Sequence, residues 1–287
     1  MQARDAAALL QGLIDKGAKL PGLAEQQADD LRAMGRERLE QGMARSLQIP
    51  VAYIDQWTFP LQEAYYVAAW VEAFRALGGG APLRVMEVAS GDVAVVPWAL
   101  ELYDGGHSSY ATANLNRKLT EGFLGKTGNL RTQVRVIEDD GANMARYYGS
   151  GSFDAVAFQH GINDIIQTIL CEREGVDTIH ADWWDILPQM TRITDEYHRS
   201  GRLEAAARQG FTACLGACAA LLRPGGRLIF NNIVYQYDLE LGYPRDLYES
   251  FVPLARRWLL EAGMGLAEVT PEGWDRQWWM VLQTPAK

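Results

Sequence analysis

The hydrophobic positions of this chain change period repeatedly, and each change marks an element. Residues 83–100 read LRVMEVASGDVAVVPWAL. A short apolar run ends at Glu87, passes through the small residues Ala89, Ser90 and Gly91, and enters a helix of about ten residues. Residues 109–116 (SYATANLN) alternate bulkier and smaller side chains between turn signals and predict a second strand. A helix follows near 117–124, and a third strand over 132–137 stops at Glu138, Asp139, Asp140 and Gly141. A fourth strand over 153–158 (FDAVAF) leads into Gln159, His160 and Gly161, and a fifth over 227–231 follows LLRPGG. A last pair is expected at 265–269 and 277–284. Strands alternating with helices through short loops predict an α/β fold, a Rossmann-like seven-stranded, mostly parallel sheet with helices on both faces. Ligands of such sheets sit outside the carboxyl ends of the strands, where helix amino termini offer free N–H groups.

Two stretches stand outside this alternation. Before the sheet, residues 24–47 are rich in helix formers, and residues 61–77 carry Ala64, Tyr65, Ala68, Val71 and Phe74 at helical spacing. Gly78, Gly79, Gly80 and Pro82 then break the chain, so residues 1–80 are expected as a helical lid or accessory segment and 81–287 as the main domain. The rings of Tyr53, Trp57, Phe59, Tyr65, Tyr66 and Trp70 either line a substrate site or pack this segment onto the sheet. The second stretch is an insertion at about 172–200, longer than a crossover helix needs. Within it, residues 183–197 predict a helix interrupted near Pro188, and 202–222 the crossover helix itself.

The ordered set MEVASGDVA, VIEDDGANM, GSFDAVAFQHGIND and LLRPGGRLIF resembles the class I S-adenosylmethionine-dependent methyltransferases over residues 83–283. The resemblance implies S-adenosylmethionine as cofactor and methyl transfer to an oxygen or nitrogen of a small metabolite, such as a biosynthetic intermediate. It places Glu87, Ala89 and Gly91 along the methionine half of the cofactor. Asn114 falls where the family has an acid on the ribose hydroxyls, Asp139, Asp140 and Gly141 lie beside the adenine, and Gln159 lies between cofactor and substrate. An amide accepts through one oxygen only, and small residues replace much of the usual glycine run, which keeps a non-catalytic partner subunit open as an alternative. GDV and VIEDDG are also similar to the aminopropyl transferases of the spermidine synthase type, which place an acid after the fourth strand where this chain has Gln159 and His160.

Chemistry is expected at His160, which directly follows the fourth strand. A neutral imidazole there takes the acceptor's proton, and Asp164 orients the ring or holds a cationic substrate. The alternative is that His160 anchors a loop and Asn163 or Asp164 caps a helix. Trp57, Tyr65, Tyr66, Asn163, Trp183 and Tyr235 are the candidate substrate contacts. Trp184, Tyr237 and Tyr243 are open between pocket and surface.

Charge narrows the partners. The 287 residues carry a formal net charge of −9, and no basic stripe is present to meet phosphate, so a small-molecule substrate is expected and nucleic acid is not. Cys171, Cys214 and Cys218 form no disulfide scaffold and suit a reducing, cytoplasmic setting. No long apolar span predicts a signal peptide or membrane segment. The oligomeric state is open, a homodimer included. GFLGKTG at 122–128 has neither the spacing nor the preceding strand of a phosphate loop. His107, His180 and His198 lack ligand-like spacing, and no metal site is expected.

Overall fold

A computed structural model describes residues 7–8, 11–12, 15, 25–48, 51–52, 58–272 and 274–286. Its first half runs α1 (Glu25–Gln48), β1 (Val51–Ala52), α2 (Thr58–Gly78), β2 (Arg84–Val88), α3 (Val95–Asp104), β3 (Ser109–Ala113), α4 (Arg117–Thr127) and β4 (Gln133–Ile137). A 3-10 turn (Gly141–Arg146) leads to β5 (Phe153–Gln159), then α5 (Gly161–Arg173), α6 (Trp183–Arg199) and α7 (Leu203–Ala220). The chain ends with β6 (Leu222–Asn231), β7 (Val234–Tyr235), α8 (Gln236–Glu240), α9 (Arg245–Glu261), β8 (Ala267–Glu268) and β9 (Trp279–Gln283).

Short apolar runs are suited to strands covered on both faces, and every residue of β5 is buried. The seven-stranded sheet has the order β4-β3-β2-β5-β6-β9-β8. The first five of these run parallel, and β9 is antiparallel to both its neighbours. The expected Rossmann-like α/β sheet is therefore present. A separate parallel pair joins β1 to β7, so the segment before the sheet is tied to the turn after β6.

Two expectations change. The strand predicted over 227–231 begins at Leu222, because Phe153 pairs with Leu222 and Ala155 with Arg227, leaving Pro224, Gly225 and Gly226 bulged out of the ladder. The helix predicted to break at Pro188 runs unbroken from Trp183 to Arg199. Proline there removes the bond to the carbonyl of Trp184, one loss near the helix start that the remaining turns outlast.

α2 packs into the core. Trp70 is fully buried, with ring centroids 5.7 Å from both Phe74 and Trp279. Its indole N–H donates to Gln159 Oε1 at 2.6 Å, fixing this helix to the carboxyl end of β5. No helix among the described residues is long and apolar enough to cross a membrane.

Candidate functional site

The two middle strands end side by side, and both turn sharply. Ala89 and Gly91 after β2 take φ of 59° and 57°, and His160 after β5 takes 56°. Gly91 adopts this conformation without a Cβ penalty, whereas Ala89 and His160 hold it at a cost of roughly 1–2 kcal/mol each. Strain of this kind persists where the surroundings fix it, commonly at functional sites. The turns also touch, since a Cβ on Gly161 would lie 3.0 Å from the Val88 carbonyl oxygen.

Two adjoining cavities open above these turns. The first, of about 590 Å³, is walled by Ala89, Ser90 and Gly91, by Asn114, by Gln159, His160, Asn163, Asp164 and Gln167, and by Trp183 and Trp184. Glu63, Tyr235, Tyr237, Asp238 and Tyr248 close its far side. The second, of about 690 Å³, runs along Asp139, Asp140, Gly141 and Ala142 toward α7. Ala89, Leu115, Asp164 and Thr168 face both. The sequence-predicted residues thus gather around one continuous space, with exceptions.

Glu87 is the main one. It lies inside the sheet, 1% exposed, accepts the Tyr110 hydroxyl, and reaches neither cavity. The strand continues to Val88, so the acid stays within the pleat instead of ending it. Burial pushes its pKa up to about 8, with the tyrosine bond opposing. Tyr66 is also displaced from the expected role: it is buried against Trp279, with ring centroids 6.2 Å apart, and does not line the large cavity. Trp57 and the side chain of Tyr65 lie outside the described residues.

Asn114 lines the first cavity, but its Nδ2 donates to the Gly91 carbonyl at 2.8 Å and to Thr120 Oγ1 at 3.1 Å. It pins the β2 turn. Asp140 accepts the Ala142 N–H at 2.7 Å and caps the 3-10 turn. Asp139 accepts from Asn143 at 2.7 Å and from Tyr147 at 2.9 Å, bonds that hold its carboxyl below the usual range, the Asn143 bond most.

Around α5 the polar groups form a chain. His160 Nδ1 accepts the Ile233 N–H at 3.3 Å, which leaves the ring proton on Nε2. The Asn163 amide nitrogen is placed 3.2 Å from that Nε2 and 2.7 Å from Asp164 Oδ1. Exchanging the two ends of the amide, which have the same shape, gives Nε2 an acceptor and requires a proton on Asp164. Burial, reinforced by Asp238, raises Asp164 to about 8 and supplies that proton at neutral pH. Burial lowers His160 to about 3, so its ring is neutral well below neutral pH, and an ionisation near neutrality belongs elsewhere. The ring packs edge-on to Tyr235, with centroids 4.8 Å apart.

Sequence reading missed Glu63, Asn116, Gln167 and Asp238. Glu63 had a signal: it shares a helical stripe with Tyr66, Val67, Trp70 and Phe74, an acid on an otherwise apolar face. Burial raises it to about 7, with Lys126 opposing and Asp92 assisting. Asn116 fastens the insertion, donating to the carbonyls of Thr178 at 2.9 Å and Ala181 at 3.0 Å. Asp238, raised by burial to about 6, accepts the Tyr248 hydroxyl at 2.7 Å. Nothing local in residues 236–240 marks that acid.

No family model matches the chain, and no curated protein does. Solved structures are similar at low identity. A protein of Bordetella parapertussis described as a possible exported protein is 13% identical over 99% of this chain and 96% of its own, with a TM-score of 0.47. The CurJ carbon methyltransferase is 13% identical over 98% of this chain and 68% of its own, with a TM-score of 0.45. CalS10, an amino pentose methyltransferase of Micromonospora echinaspora solved with S-adenosylmethionine bound, is 11% identical over 76% of this chain and 89% of its own, with a TM-score of 0.41. These likenesses say nothing of this chain's activity. The strand order, with its antiparallel β9 between β6 and β8, is that of the class I methyltransferase fold.

Proposed function

We propose that this chain is an S-adenosylmethionine-dependent methyltransferase acting on an oxygen or nitrogen of a small molecule. The observation that carries the reading is the pair of confluent cavities at the carboxyl edge of β2, β3 and β5, meeting over the β2 turn. One ends among Asp139, Asp140 and Gly141, suited to the adenine. The other ends around His160 and three carboxyl groups, suited to the acceptor.

The residues fit the cofactor. Trp70 donates to Gln159 Oε1, which fixes the amide's orientation and leaves Nε2 as a donor, 4% exposed and without a partner. A carboxylate such as the cofactor's methionine end satisfies it. Ala89 and Gly91 allow close approach of a ligand to the backbone of the turn after β2. Asp140 and the backbone of Gly141 and Ala142 supply polar contacts for the adenine, with Asp139 bracing the turn. Glu87 has no part in this set, and Asn114 contributes through the loop it holds. When bound, the group supplies an electrophilic methyl on a sulfonium. The chain's own residues orient the acceptor, exclude water and receive a proton, so proximity accounts for most of the acceleration. His160, neutral and packed on Tyr235, acts as a positioning residue. The segment before residue 80 serves as part of the acceptor wall through Glu63. The net charge of −9 disfavours a nucleic-acid substrate.

Calorimetric titration with S-adenosylmethionine, S-adenosylhomocysteine and decarboxylated S-adenosylmethionine tests the reading. Binding of the first two supports it. Preference for the third favours aminopropyl transfer, and silence from all three favours a non-catalytic partner subunit, to which the engaged amide of Asn114 already points.

A further inference from the structure

The first cavity has an unusual charge inventory. Its walls carry Glu63, Asp92, Asp164 and Asp238, and among the described lining residues the cation is Lys126, which is already paired with Asp92 at 2.9 Å. Three of the acids come from different elements, α2, α5 and α8, yet Glu63, Asp164 and Asp238 all line this one cavity together with Tyr235. They therefore converge. Aromatic rings border the same space: Trp183 and Trp184 from α6, Tyr237 and Tyr248 from the other side, with Trp184 and Tyr237 53% and 37% exposed and 6.4 Å apart at the mouth. Independently of the acids, Asn163 and Gln167 are each 1% exposed and each keeps an amide atom without a partner on this wall, the open Gln167 Nε2 being a donor that meets an acceptor elsewhere on the ligand, while the open donor of Gln159 is left to the cofactor's carboxylate. Buried amides left open in this way are completed by a polar ligand.

We propose that the methyl acceptor is an aliphatic amine, bound as its ammonium ion beside Glu63 and Asp238 and against the rings of Trp183, Trp184 and Tyr237. This rests on the methyltransferase reading above and narrows it from oxygen or nitrogen to nitrogen. An ammonium complements convergent carboxylates through charge-assisted hydrogen bonds and aromatic faces through cation–π attraction. A carboxylate or phosphate acceptor meets repulsion from Glu63 and Asp238 where they are ionised. The chemistry also balances. An ionised carboxylate takes one proton from R–NH3+, becoming a carboxylic acid and freeing the nitrogen lone pair. That pair forms the N–C bond as the S–C bond breaks, its electrons passing to sulfur, which leaves R–NH2–CH3+ and a neutral thioether. No further reactant is needed.

The test uses three probes of one shape, pentylamine, 1-pentanol and hexanoate, titrated calorimetrically into the full chain saturated with S-adenosylhomocysteine. Pentylamine is expected to bind at least about 10-fold tighter than pentanol, and hexanoate weakest. Glu63→Gln and Asp238→Asn are each expected to remove most of that preference while leaving pentanol unchanged, with melting temperatures confirming that both variants fold. Pentanol or hexanoate binding as well as the amine, equal loss of amine and alcohol in both variants, or no amine binding up to about 10 mM overturns the proposal. Binding of S-adenosylhomocysteine with a silent amine series sinks the amine assignment alone. Amine binding without any cofactor binding sinks the methyltransferase reading and leaves a cation site.

Discussion

The two cavities share a wall but are built by opposite means. Asp139, Asp140, Gly141 and Ala142 form one short stretch at the end of β4, and Asp139 is held ionised by neighbouring donors. Glu63, His160, Trp183 and Asp238 come from four separated segments, and there burial pushes Glu63, Asp164 and Asp238 upward. The same residue type, aspartate, thus sits on opposite sides of its ordinary range within one continuous space. What differs is solvent, since hydrogen bonds to the charged form dominate in the exposed half and desolvation dominates in the enclosed one. One half is a property of the sheet edge. The other depends on how accessory helices close over it.

The largest effect that separates the halves is expected at Trp70, which joins α2 to the acceptor wall. Trp70→Ala should destabilise the fold by about 3–5 kcal/mol, the range for removing a buried aromatic ring. Trp70→Phe keeps most of the ring and strands Gln159 Oε1, for about 1–3 kcal/mol. Denaturant unfolding measures both. An alanine variant as stable as the parent would detach α2 from the core and erase the contrast between the cavities.

Asp140→Ala probes the exposed half. It should weaken S-adenosylmethionine binding by about 1–3 kcal/mol, as loss of a hydrogen bond to a charged group does. Pentylamine affinity should not move. Unchanged cofactor affinity in calorimetry removes Asp140 from the site, and parallel loss of both ligands means the cavities do not divide the work as described.

The contrast also explains what the sequence disclosed. Asp140 and Gly141 were legible because strand, acid and glycine are contiguous, and the periodicities of β2, β3, β4 and β5 gave the sheet within a residue or two at most ends. Glu87 misled because a strand's last residue was taken to be its acid, when one more residue, Val88, keeps that acid inside the pleat. Asp238 and Gln167 could not be found, since only the tertiary closure of α5, α8 and α9 gives them a common space. His160 was located correctly by its position after β5. How far burial lowers its pKa was not legible, because desolvation depends on Tyr235 and Tyr248, which lie more than seventy residues downstream.

A pH series on stability sharpens the comparison next. Glu87 has a folded pKa of about 8 against an ordinary 4.5, so it is raised. Its contribution is fully present below about pH 4.5 and is lost as pH rises through about 8. Glu63 and Asp164, also raised, act in the same direction. His160 is lowered to about 3, so its contribution falls away as pH drops below its ordinary 6.5. Melting temperature should therefore decline between about pH 6.5, above which His160 no longer opposes, and about pH 8, where the slope ends, and Glu87→Gln should flatten part of that decline. A profile unchanged in the variant would mean that Glu87 is ionised inside the sheet.

The smallest expected effect is the most discriminating, because it is the absence of a change. With His160 lowered to about 3, the neutral-range ionisation of turnover should belong to Glu63 and Asp238, raised to about 7 and about 6. His160→Asn suits the test: asparagine tolerates the left-handed backbone at this position, where φ is 56°, and its amide can accept from a backbone N–H as the ring does from Ile233. Turnover should fall, since the ring that packs on Tyr235 is gone, but the midpoint of the pH–rate curve should stay within about half a unit of the parent. Glu63→Gln and Asp238→Asn should instead shift or remove that midpoint. If the asparagine variant alone loses it, His160 is the base after all, and the three carboxyl groups are left to bind charge without moving a proton.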